Sequence, residues 1–157
     1  MPVKEGNLAP AFTLEDADGN EVSLADLAGQ NVILYFYPRD DTPGCTKEAC
    51  GFRDLSKKLA ALDTIVVGVS PDDGESHGRF AKKHKLPFTL LSDPGKAMIK
   101  KYGAFGEKLM YGKKVMGVIR STVWIDPEGR VVKHWKKVNK AADHPAQVLE
   151  ALAAVEG

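Results

Sequence analysis

Residues 31–37 read Asn-Val-Ile-Leu-Tyr-Phe-Tyr, an uncharged run that Pro38 closes. A nearly continuous β-forming run with no polar alternation fits a strand buried on both faces, and such a strand needs helices on each side of its sheet. A second run of this kind, residues 64–69, follows a stretch in which Ala49, Phe52, Leu55, Leu59 and Leu62 recur every three or four positions. That spacing predicts an amphipathic helix over residues 46–62.

The rest of the chain extends the pattern. Two short runs, residues 11–14 and 21–24, flank Asp18-Gly19-Asn20 and predict an N-terminal β-hairpin. After residue 69 the sequence predicts a helix at 75–84, a strand near 88–91, a helix near 96–102 and a glycine-containing loop at 104–114. Residues 121–125 and 130–135 flank the turn sequence Asp126-Pro127-Glu128-Gly129 and predict two strands. A final helix at 145–155 has Asp143 available as a cap and Pro145 in its first turn. The expected architecture is α/β: a central mixed sheet flanked by helices, of thioredoxin type, with an N-terminal hairpin extension.

No repeat or linker divides the 157 residues, a length that suits one domain over 1–157. A formal net charge of +1 gives no global attraction to nucleic acid or anionic lipid, and Lys113-Lys114 and the basic stretch 133–140 read as solvated faces. No apolar run reaches the length of a signal peptide or a membrane span, so a cytoplasmic location is expected. Two cysteines are too few for a disulfide scaffold, which leaves buried, metal-binding or redox roles open for them. Against metal, Cys45 and Cys50 have no third ligand nearby in sequence, and His77, His84, His134 and His144 are scattered and read as surface residues. Neither a metal nor a cofactor is expected.

The chemistry points to the loop after the first buried strand. Cys45 falls at the expected start of the 46–62 helix, where unpaired backbone N–H groups and the positive end of the dipole favour a thiolate. A free cysteine, with pKa about 8.5, is only about 3% thiolate at neutral pH, and a helix terminus supplies about 0.3–2 kcal/mol, so a further cation or donor is required. Attack by such a sulfur drives negative charge onto the departing atom of its substrate, which also needs donors. Thr42 offers a hydroxyl three residues before Cys45, and Arg120 offers a permanent charge with several N–H groups. Pro38 and Pro43 would shape the loop and limit water around the sulfur.

Pro38, Thr42 and Cys45 form a P-x-x-x-T-x-x-C pattern that resembles peroxiredoxins. With Asp40-Asp41-Thr42-Pro43-Gly44-Cys45-Thr46 and Ala49-Cys50, the stretch is similar to the bacterioferritin-comigratory-protein (Q-type) branch. Residues 6–14, Leu91-Ser92-Asp93-Pro94 and Arg120-Ser121-Thr122 extend the likeness over most of the chain. The resemblance implies a thioredoxin fold with Cys45 as the peroxidatic residue, activated by Thr42 and Arg120, and Cys50 as the resolving one. It further implies a pocket that includes Pro38, Pro43, Gly44 and Glu48, a position where relatives hold Glu or Gln. Hydrogen peroxide and organic hydroperoxides are the implied substrates, thioredoxin or a similar dithiol protein the implied reductant, and a monomer the implied state. The ending Val155-Glu156-Gly157 lacks a Tyr-Phe tail, which implies resistance to over-oxidation.

Five residues apart on one α-helix, two Cα atoms lie about 8.6 Å apart and their side chains about 140° apart, whereas a disulfide needs less than about 7 Å. A Cys45–Cys50 bond therefore requires residues 45–51 to unwind on oxidation. Two other functions fit a redox-active pair: a thiol-disulfide oxidoreductase, against which the C-x-x-x-x-C spacing speaks, and a redox-responsive chaperone or sensor.

Overall fold

The computed structural model describes residues 3–156, with backbone alone at Met110 and Glu156; Met1, Pro2 and Gly157, which belong to the terminal stretches read above, lie outside the described residues. In chain order the strands are β1 (Thr13–Glu15), β2 (Glu21–Ser23), β3 (Asn31–Phe36), β4 (Thr64–Ser70), β5 (Thr89–Ser92), β6 (Phe105–Met110), β7 (Lys113–Val118), β8 (Ser121–Ile125) and β9 (Val131–Trp135). The helices are α1 (Pro43–Asp54), α2 (Ser56–Ala60), α3 (Gly74–His84), α4 (Ala97–Lys101) and α5 (His144–Glu156).

Seven strands form one sheet in the order β2-β1-β5-β4-β3-β8-β9. β3, β4 and β5 run parallel, while β8 is antiparallel to β3 and β9 to β8. β3 is buried along its whole length, and its alternate residues feed opposite cores. Ile33 and Tyr35 join Cys45, Ala49, Phe52, Phe80, Val148 and Leu152, and so face α1, α3 and α5. Val32, Leu34 and Phe36 join Leu27, Met98, Ile99 and Tyr102 on the α4 side. This is the thioredoxin-type sheet, with the β1–β2 hairpin added beyond β5.

Two expectations from the sequence need correction. Residues 46–62 do not make one helix: the backbone leaves helical geometry at Leu55 (φ −98°, ψ 5°), between α1 and α2. Leu55 lies between Asp54 and Ser56, polar residues that compete with helix for local hydrogen bonds. The stretch 104–114 is not a loop either. Its residues fold into the two-stranded sheet β6–β7, turned by Tyr111 (φ 52°) and Gly112 (φ 79°), the pair of positive φ angles that a two-residue hairpin turn of type I′ requires.

Candidate active site

β3 ends at Phe36 and the chain turns through Pro38–Thr42 into α1. Thr42 is the N-cap: its extended backbone (φ −86°, ψ 156°) starts the helix, and its carbonyl accepts from Thr46 N at 2.8 Å. Pro43 follows at the first helical position, where its fixed φ suits the helix and its missing N–H costs nothing. Cys45 is therefore in the first turn, among backbone N–H groups with no partner inside the helix. Its thiol is free and fully buried.

Arg120 reaches the sulfur from the start of the strand next to β3. Ser121 begins β8 and pairs with Phe36 at the end of β3, which sets Arg120 at the carboxyl end of β3, beside α1. Its Nη2 donates to Cys45 Sγ at 3.2 Å, and its Nη1 donates to Glu48 Oε1 at 2.7 Å. One guanidinium thus spans the thiol and a carboxylate one turn further along α1. Gly44 makes room for it, since a Cβ there would lie 3.1 Å from Nη2.

Charge and burial compete here. Burial pushes the Glu48 carboxyl up to about 7 even with Arg120 pulling it down, and Glu48 Oε2 has no hydrogen-bond partner among the described residues. Arg120 pays for burial as well, but the charges of Glu48 and Cys45 hold its pKa above the ordinary value. The Thr42 hydroxyl donates to Arg39 O at 3.0 Å, and no hydrogen bond joins it to Cys45 among the described residues. That leaves its lone pairs open to an incoming O–H. Cys50 is half-buried on the same helix as Cys45, and both thiols are free.

Residues 6–134 match the AhpC/TSA family. Peroxiredoxin Bcp of Bacillus subtilis is 46% identical over 97% of this chain and 96% of its own. Peroxiredoxin Bcp of Escherichia coli is 42% identical over 96% of each. The chain belongs to the AhpC/TSA family. Within it, this peroxiredoxin is of the Bcp (Q-type) branch. Its fold superposes on the bacterioferritin comigratory protein of Xanthomonas campestris with a TM-score of 0.86 at 38% identity, covering 93% of this chain and 92% of that one. That relative was studied for its alkyl peroxide reduction activity through trapped intermediate and ligand complexes.

The peroxiredoxin also holds a buried polar cluster that its sequence did not reveal. Asp40, in the turn before α1, accepts from Tyr37 Oη at 2.6 Å and from Ser76 Oγ at 2.8 Å, and meets His77 Nδ1 at 2.7 Å. The other ring nitrogen of His77 meets Leu91 O at 3.0 Å. Asp40 N donates to Asp72 at 2.7 Å, so the turn is tied to the start of α3. Two histidines read as surface residues, His77 and His144, are therefore buried, because tertiary hydrogen bonds satisfy their rings. Asp40, Asp72 and His77 have donor atoms within 4.8 Å of one another, but each is engaged in the hydrogen bonds just described. Removing the common acceptor orphans two buried groups, Tyr37 Oη and His77 Nδ1, and the half-buried Ser76 hydroxyl. Asp40→Ala should lose about 3 kcal/mol or more of unfolding free energy, measured by urea denaturation.

His144 opens α5 and bonds Thr122 Oγ1 through Nε2 at 2.8 Å. Burial pushes its ring down to about 4, with Gln147 opposing and the nearby Arg120 adding to the effect. Next to it, α1 and α5 meet closely: a Cβ on Gly51 would lie 2.8 Å from Pro145 Cγ. No helix among the described residues is long and apolar enough to cross a membrane.

Proposed function

We propose that this peroxiredoxin performs its thiol-peroxidase reaction at Cys45, with Arg120 and Thr42 as the groups that assist and Cys50 as the resolving thiol. The observation that carries this reading is the 3.2 Å contact of Arg120 Nη2 with Cys45 Sγ in the first turn of α1. There a cation and a helix terminus lie where negative charge on the attacking sulfur and the departing oxygen would be met. The thiolate attacks the terminal oxygen of a hydroperoxide, the O–O bond breaks, and the departing alkoxide or hydroxide takes a proton as alcohol or water. Cys45 is left as sulfenic acid. The Cys50 thiol then displaces the sulfenic hydroxyl as water, closing the disulfide, and an external dithiol restores both thiols while becoming oxidised itself.

Both hydrogen peroxide and alkyl hydroperoxides fit this scheme, the latter supported by the activity studied in the Xanthomonas campestris relative. Thioredoxin or a similar dithiol protein is the proposed reductant, in a reducing cytoplasm, acting on a monomer. Resolution within one chain removes any need for a partner subunit.

The experiment is oxidation with one equivalent of peroxide. Mass spectrometry should show the loss of two hydrogens with residues 45 and 50 in one cross-linked peptide. Far-ultraviolet circular dichroism should lose helix signal, because the first turns of α1 cannot hold both sulfurs within bonding distance. An oxidised protein with unchanged helix content and no such peptide would sink the scheme.

A further inference from the structure

The reaction just proposed makes no use of the β6–β7 hairpin, yet three of the large apolar side chains most exposed among the described residues cluster there. Tyr111, at the turn, is 100% exposed, Leu109 71% and Met116 65%. In the antiparallel register Glu107 faces Met116 and Leu109 faces Lys114, so Leu109 and Met116 share one face of the ribbon. Nearer the base of that face Phe105 and Val118 turn inward, and Lys100 Nζ lies 5.0 Å from the Phe105 ring centre. On this face Lys114 stands beside Leu109, its Nζ 3.8 Å from Glu107, the one acidic residue of the ribbon; Lys113 lies next to the turn on the opposite face, where Lys108 Nζ donates back to Val118 O at 2.9 Å. Solvent-facing ribbons that serve only as connections are polar, and exposed apolar clusters rimmed by charge mark contact surfaces.

Its place in the fold says what it contacts. Val118 ends the hairpin two residues before Arg120, and Ile119 N donates to Ala104 O at 2.7 Å, which fastens the base of the ribbon. Ser121 pairs with Phe36, so the ribbon leaves the body at the end of the sheet where α1 and Cys45 begin. We propose that this hairpin is the docking surface for the dithiol protein that reduces the Cys45–Cys50 disulfide, and that this partner brings an apolar patch edged with acidic residues. The proposal rests on the peroxidase reading above.

The chemistry requires such an encounter in every cycle: the partner's two thiols pass two electrons and two protons to the disulfide and leave as a disulfide. A protein donor must hold its attacking sulfur in line, briefly, which suits a small transient interface. Tyr, Met and Leu at the centre with Lys at the rim fit the composition of such surfaces, and the lysines select an acidic rim in the partner. A second copy of this chain would bring the same lysines against themselves, and lysines on the ribbon also discourage edge-to-edge strand pairing.

The test compares two reductants on two variants, Leu109→Ser/Tyr111→Ser/Met116→Ser and Lys113→Glu/Lys114→Glu. Peroxide consumption is driven either by a bacterial thioredoxin with its NADPH-dependent reductase or by dithiothreitol. Both variants should raise the KM for thioredoxin by about tenfold or more, the scale of about 1.4 kcal/mol at a contact centre, and leave the dithiothreitol-driven rate unchanged. The charge-reversed variant should also lose the salt dependence of thioredoxin turnover. An unchanged KM overturns the proposal. So does a parallel fall with both reductants, which would mean that the hairpin acts through Arg120, and so does a change in oligomeric state on size-exclusion chromatography, which would make a second copy the occupant. If the wild-type protein consumes no peroxide even with dithiothreitol, the peroxidase reading fails first and the docking proposal falls with it.

Discussion

Cys45→Ser should abolish peroxide consumption, while Cys50→Ser should keep the first turnover and lose the cycle. Serine at position 45 presents a hydroxyl that remains protonated at neutral pH and attacks peroxides poorly, so the rate should fall on the order of a thousandfold or more, as when a nucleophile is removed from other covalent catalysts. Cys50 lies off the Arg120 fork, on another face of α1. In the proposed scheme its replacement leaves the attack step intact and removes the thiol that displaces water from the sulfenic acid. The reduced Cys50 variant should consume one equivalent of peroxide at the wild-type rate and then stop, with the sulfenic acid trapped by dimedone and detected by mass. A wild-type rate in Cys45→Ser, or a slow first equivalent in Cys50→Ser, would reverse the two assignments.

Arg120→Ala should lower kcat/KM for peroxide by about 10²–10³-fold, the range found when one preorganised donor is removed from an anion-stabilising site. Arg120→Lys should recover part of this at most, because one ammonium cannot supply the fork that joins Cys45 Sγ to Glu48 Oε1. Stability should respond with a pH signature. The buried Glu48 carboxyl, raised from 4.5 to about 7, binds its proton more tightly in the folded state; its favourable contribution is complete below about 4.5 and is lost as pH rises through about 7. Without Arg120 nothing opposes the burial effect, so Arg120→Ala should be destabilised more above pH 7 than near pH 5. Adding Glu48→Gln should restore the alkaline stability but not the peroxide rate, which separates the structural part of the pair from its role at sulfur. His144 acts in the opposite sense: its ring, lowered from 6.5 to about 4, contributes above 6.5 and loses that contribution as pH falls through about 4 in wild type, and Arg120→Ala should make this acid loss smaller by removing one of the lowering charges.

The strands were legible wherever a pattern repeated. Residues 31–37 could be read because burial on both faces leaves no polar position to blur the run, and Thr42 with Cys45 could be read because both lie within one helical turn. Arg120 stands 75 positions from Cys45 in sequence, and nothing local distinguishes it from any other arginine; only the resemblance to peroxiredoxins pointed there. His77 was opaque for a physical reason. In α3 it sits among Glu75, Ser76 and Arg79 and reads as part of a polar face, while the acceptors that satisfy it, Asp40 and Leu91 O, come from other elements. The β6–β7 ribbon was hidden by its glycines and lysines, weak strand formers that its turn geometry overrides.

The anchoring of Asp40 has a kinetic meaning. Its bonds to Tyr37, Ser76 and His77 pin the chain upstream of α1, and the buried Phe52 pins it downstream. Once the first turns melt, the liberated segment is a short tether with both ends fixed, so the two sulfurs explore a small volume and meet at high effective concentration. In the proposed cycle, ring closure should then outpace capture of the sulfenic acid by a stray thiol or a second peroxide, and the same fixed ends should return the segment to its helical register when the bond is cut.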